Sequence, residues 1–175
     1  MENQKDAIKK IAFNYGIIWG LLSIVLAVIA YVTDNHIERP MWLTIAGLAI
    51  MVGIIVYGLR AFKVENEGYL SVVESLKVGL AISLIAAIIG ALYNYIFITV
   101  IEPDYVFQML EFSIEQTAID NPEMTQEQMD MTAGIMEKMM TPSIMTAMGI
   151  IIPLFLGFIT SLTSGLIMKV NRPEN

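Results

Sequence analysis

The stretch SIMTAMGIIIPLFLGFITSLTSGLIM, residues 143–168, carries no charged side chain from Ser143 to Met168. As a helix it is long enough to cross a hydrocarbon core of about 30 Å. Three more stretches read the same way: Ile11 to Thr33, Met41 to Phe62 and Val78 to Ile101, with Arg60 near one end as the only interruption. Together they predict four transmembrane helices in an all-α integral membrane protein. Composition agrees, because 56% of the 175 residues are hydrophobic and 15% are charged, against roughly 25% charged in an average soluble domain. The length suits a single four-span membrane domain over residues 1–175. Lys5, Lys9 and Lys10 precede the first span as in a signal peptide, but the apolar run is too long and no A-x-A site precedes Asp34. An uncleaved anchor is expected.

Orientation follows from the basic residues, which are retained on the cytoplasmic side. With both termini inside, Lys5, Lys9, Lys10, Arg60, Lys63, Lys77, Lys169 and Arg172 are cytoplasmic, and only Arg39 and Lys138 are outside. This bias predicts cytoplasmic termini, with residues 102–142 outside. That segment holds nine carboxylates and one lysine, whereas the whole chain has a net charge of −7. The acidity of the protein therefore belongs to one external insertion, which would repel phosphates, so nucleic acid is not an expected partner.

Within the insertion, Glu102-Pro103-Asp104 is expected to end the third span and start a helix with Pro103 in its first turn. Phe107, Leu110, Ile114 and Ala118 recur at helical spacing on one face, and Asp104, Gln108, Glu111 and Glu115 on another. Asp120-Asn121-Pro122 breaks this helix. Thr125 and Gln128 fit a capping box that opens a second helix running to about Met140. Its Met129, Ala133, Met136 and Met140 share a stripe, with Met131, Ile135 and Met139 beside it. The expected arrangement is an external amphipathic hairpin with Phe107, Leu110, Ile114, Met129, Met136 and Met140 largely protected from water.

Methionine is abundant, with 13 residues, while cysteine is absent and His36 is the only histidine. Thioethers at Met136 and Met139 could in principle hold Cu(I), but no His or Cys assists them, and adaptable packing or partner contact explains the methionines better. Met129, Met136, Met139 and Met140 are accordingly assigned to a partner surface. The acidic residues Asp120, Glu123, Glu127 and Asp130 lack the spacing of a Ca²⁺-binding loop. No metal or cofactor is expected. No Asp, Glu, Lys, Arg or His lies in the middle of a span, which argues against proton-coupled transport. Metalloprotease, nucleotide-binding and serine-nucleophile patterns are missing as well, so no enzyme activity is expected.

Small residues mark the packing faces. Ala12, Gly16 and Gly20 in the first span, Gly79, Ser83, Ala87 and Ala91 in the third, and Gly149, Gly157, Ser161 and Gly165 in the fourth follow four-residue spacing that lets helix backbones approach. Gly16, Gly20, Gly157, Ser161 and Gly165 are the packing candidates. Pro153 interrupts the fourth span's hydrogen bonding and is a hinge candidate, beside a polar row of Thr160, Ser161, Thr163 and Ser164 that could face Asn14 or Asn94.

Between the second and third spans, Asn66-Glu67-Gly68 marks a turn and Ser71 with Glu74 a second capping box. This link, the basic N-terminus, the Glu-Pro after the third span and the amphipathic insertion before a Gly- and Ser-rich fourth span resemble a family of Bacteroidota membrane proteins known as domain of unknown function 4199. The resemblance implies a multi-pass protein of the bacterial inner membrane, which makes the outer side of residues 102–142 the periplasm, and it brings no site residues with it. The expected function is a non-catalytic interaction or assembly component embedded in the lipid bilayer, using the acidic, Met-rich hairpin to engage a protein partner or a second copy. A small solute transporter or channel-like oligomer is the alternative.

Overall fold

The computed structural model describes residues 2–172 and is all-helical. Four helices, α1 (Glu2–Val32), α2 (Met41–Glu65), α3 (Val72–Ile96) and α6 (Pro142–Met168), are each long and apolar enough to cross a membrane, α3 together with the turn that follows it. Between α3 and α6 lie α4 (Tyr105–Asp120) and α5 (Gln126–Met139). Residue 1 and residues 173–175, the ends of the expected 1–175 domain, lie outside the described residues. Phe13, Leu21, Ile45, Leu92 and Phe155 are exposed on the outward faces of the four long helices. Such a surface would aggregate in water and is the ordinary one in lipid.

Lipid gives no hydrophobic preference for one helix face over another, so close approach and dispersion decide which sides pack. The helix that packs most extensively is α3, against α6 on one side and α1 on another, with α2 contacting all three. The α3–α6 contact is an antiparallel seam of small residues in which glycine always meets serine: Ser75 lies against Gly165, Gly79 against Ser161, and Ser83 against Gly157. A Cβ on Gly165 would sit 2.6 Å from the Ser75 Cβ, and one on Gly157 would sit 2.8 Å from the Ser83 Cβ. The hydroxyls trapped in this seam are satisfied within their own helices. Ser83 Oγ donates to the Gly79 carbonyl at 2.8 Å and Ser161 Oγ to the Gly157 carbonyl at 2.6 Å. The α1–α3 contact uses the other small stripe, where Cβ atoms on Gly16 and Gly20 would come within 2.7 Å of Ile85 and 2.9 Å of Ile89. Ile55, Leu59 and Phe62 of α2, with Val78 and Ile82 of α3, fill the centre and are fully enclosed.

Both expected capping boxes form, Ser71 with Glu74 at α3 and Thr125 with Gln128 at α5. Other boundaries differ from the sequence reading. The first helix begins well before Ile11, because the polar turn carrying Lys5 and Lys9 continues the same helix. The third begins at Val72, directly after the Ser71 cap as the capping box predicts, but its far end widens into a π-helical turn over Phe97–Ile101 that hydropathy gives no sign of. Pro103 is not in the first turn of α4. Glu102, at φ −135° and ψ 76°, leaves the helical region, which is disfavoured for the residue before a proline. A tight turn then follows, with the Tyr105 N–H donating to the Glu102 carbonyl at 3.0 Å, and α4 starts at Tyr105.

The helix pair also departs from expectation. Contacts of α4 and α5 are mainly with each other, and neither contributes a buried residue. Phe107, expected to be protected, is 60% exposed, while Leu110, Ile114, Met129, Met136 and Met140 are half-buried. Apart from Tyr105 at the start of α4, which meets His36 and Phe97, the two short helices pack mainly on one another, which leaves each with an uncovered apolar side.

Candidate functional site

The two ends of the four-helix bundle treat their polar groups in opposite ways. At the end formed by the start of α1, the α2–α3 link and the chain after α6, the polar groups are paired. Leu70 and Val170 form an antiparallel bridge, their N–H groups donating to each other's carbonyls at 2.9 and 3.0 Å. The buried Asn66 amide donates to the Tyr69 carbonyl at 2.9 Å and to Glu74 Oε1 at 3.3 Å, and its Oδ1 accepts from Arg172 at 3.1 Å. Glu74 also accepts from the Ser71 N–H at 2.7 Å and from Gln4. Arg172 lies 3.4 Å from Glu67 and over the Tyr69 ring, and Lys63 donates to the Met168 carbonyl at 2.9 Å. The link closes only because Glu67 and Gly68 take the left-handed region, at φ 59° and 86°. A cleft of about 690 Å³ opens beside this knot. Of the charged side chains that edge it, Lys10 is engaged with Glu65 at 2.8 Å and Arg172 with Glu67, and Asp6 adds a further carboxylate.

At the opposite end, α1 terminates with Asp34 at φ 53°, and the Asn35 N–H reaches back to the Ala30 carbonyl at 2.8 Å. These bonds form a Schellman-type stop with aspartate where glycine is usual, and they turn the following link inward over the bundle. His36 thereby enters an aromatic cluster. Its ring stacks on Tyr105 at 6.1 Å and meets Tyr31 edge-on at 5.2 Å, while Phe97, in the π-helical turn, contacts Tyr31 and Tyr105 edge-on, each at 5.3 Å.

This cluster closes one side of a cavity of about 210 Å³ between α1 and α3. Polar side chains converge on it from four segments: Ser23 from α1, His36 and Arg39 from the link, Tyr93 and Asn94 from α3, and Tyr105 from α4. Ile24, Ala27, Ala30 and Phe97 supply apolar wall. Both imidazole nitrogens of His36 are buried and have no hydrogen-bond partner among the described residues. Arg39 has no carboxylate within 4.0 Å among them either. It is close enough to Tyr105 to favour the phenolate there, but burial dominates and holds that phenol above its ordinary range.

The residues singled out by sequence fall in separate places. Gly16 and Gly20 lie in the α1–α3 contact, and Gly157, Ser161 and Gly165 in the α3–α6 seam. Pro153 sits inside α6, which runs as one helix through it. Asn94 faces the α1–α3 cavity, Asn14 is exposed, and Ser161 is fully buried in the seam. The four methionines divide: Met139 is exposed, in line with Met131 and Ile135, whereas Met129, Met136 and Met140 are half-buried. The cavity is absent from the sequence reading. Its one available signal was the spacing His36-x-x-Arg39-Pro40, which puts the only histidine and one of the two cations expected outside the membrane on a short link.

Comparison with protein families gives a match to the family described as "Protein of unknown function (DUF4199)" over residues 14–170. Neither the curated proteins nor the solved structures yield a match.

Proposed function

The chain belongs to the DUF4199 family, whose function is unknown, and from its geometry we propose a non-catalytic, four-span membrane protein that docks another protein through α4 and α5. The observation that carries this reading is the uncovered stripe of Met131, Ile135 and Met139, which are 65%, 57% and 59% exposed on a helix outside the long apolar spans. Glu127 and Lys138 flank it at helical spacing and are exposed too. An apolar stripe rimmed by charge is the usual composition of an interaction surface, and methionine gives such a surface adaptability. The basic-residue bias puts this helix pair on the periplasmic side of the inner membrane with both termini in the cytoplasm. The alternative, a solute path along the fourth span, draws less support, because Ser161 is fully buried and its hydroxyl is bonded within α6.

Photo-crosslinking residues placed singly at 131, 135 and 139 test the reading in cells. One discrete protein adduct shared by the three positions, and missing from probes at Asp130 and Glu137 on the opposite side of the helix, is the expected result. A mass equal to twice that of the chain would identify the partner as a second copy. Adducts with lipid alone would overturn the proposal and show that the pair lies on the bilayer. Solute-selective flux through liposomes containing only the purified protein would favour transport.

A further inference from the structure

We infer that the α1–α3 cavity binds a small oxyanion, a carboxylate or phosphate group carrying a short apolar part. The first ground is the state of His36. A buried polar group with no partner bears the full cost of its desolvation, and folded proteins keep few of them. Here two such atoms belong to one ring, held in place by stacking on Tyr105 and edge contacts with Tyr31 and Phe97. The surrounding aromatic residues fix the ring and leave its nitrogens for another molecule.

The second ground is Arg39, also on the wall. Its guanidinium offers five donors and no acceptor, in a planar fork matched to carboxylate and phosphate oxygens, and no described carboxylate occupies it. Asn94 and Ser23 add further hydrogen-bonding groups from the two helices, and Ile24, Ala27 and Ala30 line the apolar side. The cleft at the other end of the bundle supplies the contrast. It is larger, but its two cations, Lys10 and Arg172, are already paired with Glu65 and Glu67, and Asp6 adds a further negative charge, so an incoming anion would have to displace existing bonds.

Size limits the ligand. Water occupies about 30 Å³ per molecule in the liquid, so a cavity of about 210 Å³ holds a headgroup and a few carbons. It lies below the roughly 300–1,000 Å³ typical of drug-sized ligands. The same oxyanion could arrive free in solution or as part of an amphiphile entering between the helices.

The test is calorimetric titration of the full chain, in uncharged detergent, with hexanoate, hexyl phosphate and inorganic phosphate. Saturable one-to-one binding of at least one is expected, at least tenfold weaker in Arg39→Gln and in His36→Phe, the latter keeping the aromatic contacts while removing both nitrogens. Lys138→Gln, at the only other cation expected on that side, is expected to bind as wild type does. Equal binding of inorganic and hexyl phosphate would identify a free oxyanion, and a requirement for the alkyl part an amphiphile. Because His36 is the only histidine, its imidazole NMR signals give a second readout on the unsubstituted protein, and they are expected to move as the probe saturates. The inference is overturned if none of the three probes binds. It is also overturned if binding leaves the His36 signals unmoved or is as tight in both variants, or if hexyltrimethylammonium binds as well as the anions. Each of those results would identify a water-filled cavity or a site elsewhere.

Discussion

Adding one methyl group at Gly157 should loosen the bundle, whereas the same change one turn beyond Pro153, at Gly149, should not. At Gly157 the new Cβ would lie 2.8 Å from the Ser83 Cβ. Carbon atoms rest at about 3.5–4.0 Å, so α3 and α6 must part locally by roughly 0.7–1.2 Å. The new methyl would also overlap the Ser83 Oγ, and turning that hydroxyl away would break its bond to the Gly79 carbonyl at 2.8 Å while leaving the Ser83 Cβ where it is. Overpacking of this kind costs about 1–3 kcal/mol. Replacing a helical glycine by alanine returns about 1 kcal/mol, which leaves Gly157→Ala destabilised by about 0–2 kcal/mol. At Gly149 a Cβ meets nothing within 4 Å, so only the helix term remains, and Gly149→Ala is expected to gain up to about 1 kcal/mol. Gly165→Ala should resemble Gly157→Ala, since the Ser75 Cβ is 2.6 Å away. The double variant should cost less than the sum, because helices already parted at one position meet the second methyl at greater distance. Reversible unfolding in mixed micelles, followed by circular dichroism, gives all four values. Gly157→Ala and Gly149→Ala shifting stability in the same direction by the same amount would refute the seam as the determinant of packing.

Three further outcomes are expected. Asn66→Leu removes a buried amide that serves Tyr69, Glu74 and Arg172, and at about 1–3 kcal/mol for each buried partner left unsatisfied it should lower the melting temperature in detergent more than Asn35→Leu, on the partly exposed link at the other end; equal effects would show that the knot contributes nothing. Cysteines at Gln116 and Glu67 should differ towards an impermeant reagent on intact spheroplasts, and labelling at 67 but not 116 would reverse the proposed topology. Amide exchange in detergent should be at least about tenfold faster over residues 145–152 than over 157–165, because Pro153 provides no N–H for the Gly149 carbonyl and the seam begins only at Gly157; uniform protection along α6 would contradict this.

The parts of the fold legible in sequence are those decided by neighbours along the chain. Uninterrupted apolar runs mark the four spans, and the capping boxes at Ser71 and Thr125 depend on residues three apart. The stripes around Gly16, Gly79 and Gly157 are legible too, but not which stripe meets which. The match of Ser75, Gly79 and Ser83 to Gly165, Ser161 and Gly157 is a complementarity between distant segments. Phe107 was misplaced for a related reason: helical spacing shows that a face is apolar, and only tertiary contact shows whether anything covers it. The cavity was least accessible, since Ser23, His36, Asn94 and Tyr105 come from four segments that meet only after α1 and α3 pack side by side.

Packing along α3 is graded, and the gradient has a direction. From Ser75 to Ser83 the helix is clamped on α6 by serine–glycine contacts and lies next to the fully paired knot of Asn66, Glu74 and Arg172. Further along, a Cβ on Gly90 would meet nothing within 4 Å, as at Gly149 on α6, and the helix ends in a π-helical turn at the edge of the cavity. Extra π-type turns recur at functional positions because they break the regular hydrogen-bond ladder where a side chain must be re-aimed, and here the turn begins at Phe97, the residue that braces His36 and Tyr105. In lipid, where dispersion and close approach hold helices together, the loosely packed end of the bundle is the end that can adjust at least cost. It is also the end where, among the described residues, the buried His36 nitrogens have no hydrogen-bond partner, the exposed Arg39 has no carboxylate beside it, and the helix pair is uncovered. A molecule engaging that end would leave the seam and the knot undisturbed, so binding there is compatible with a fold whose stability is concentrated at the other end.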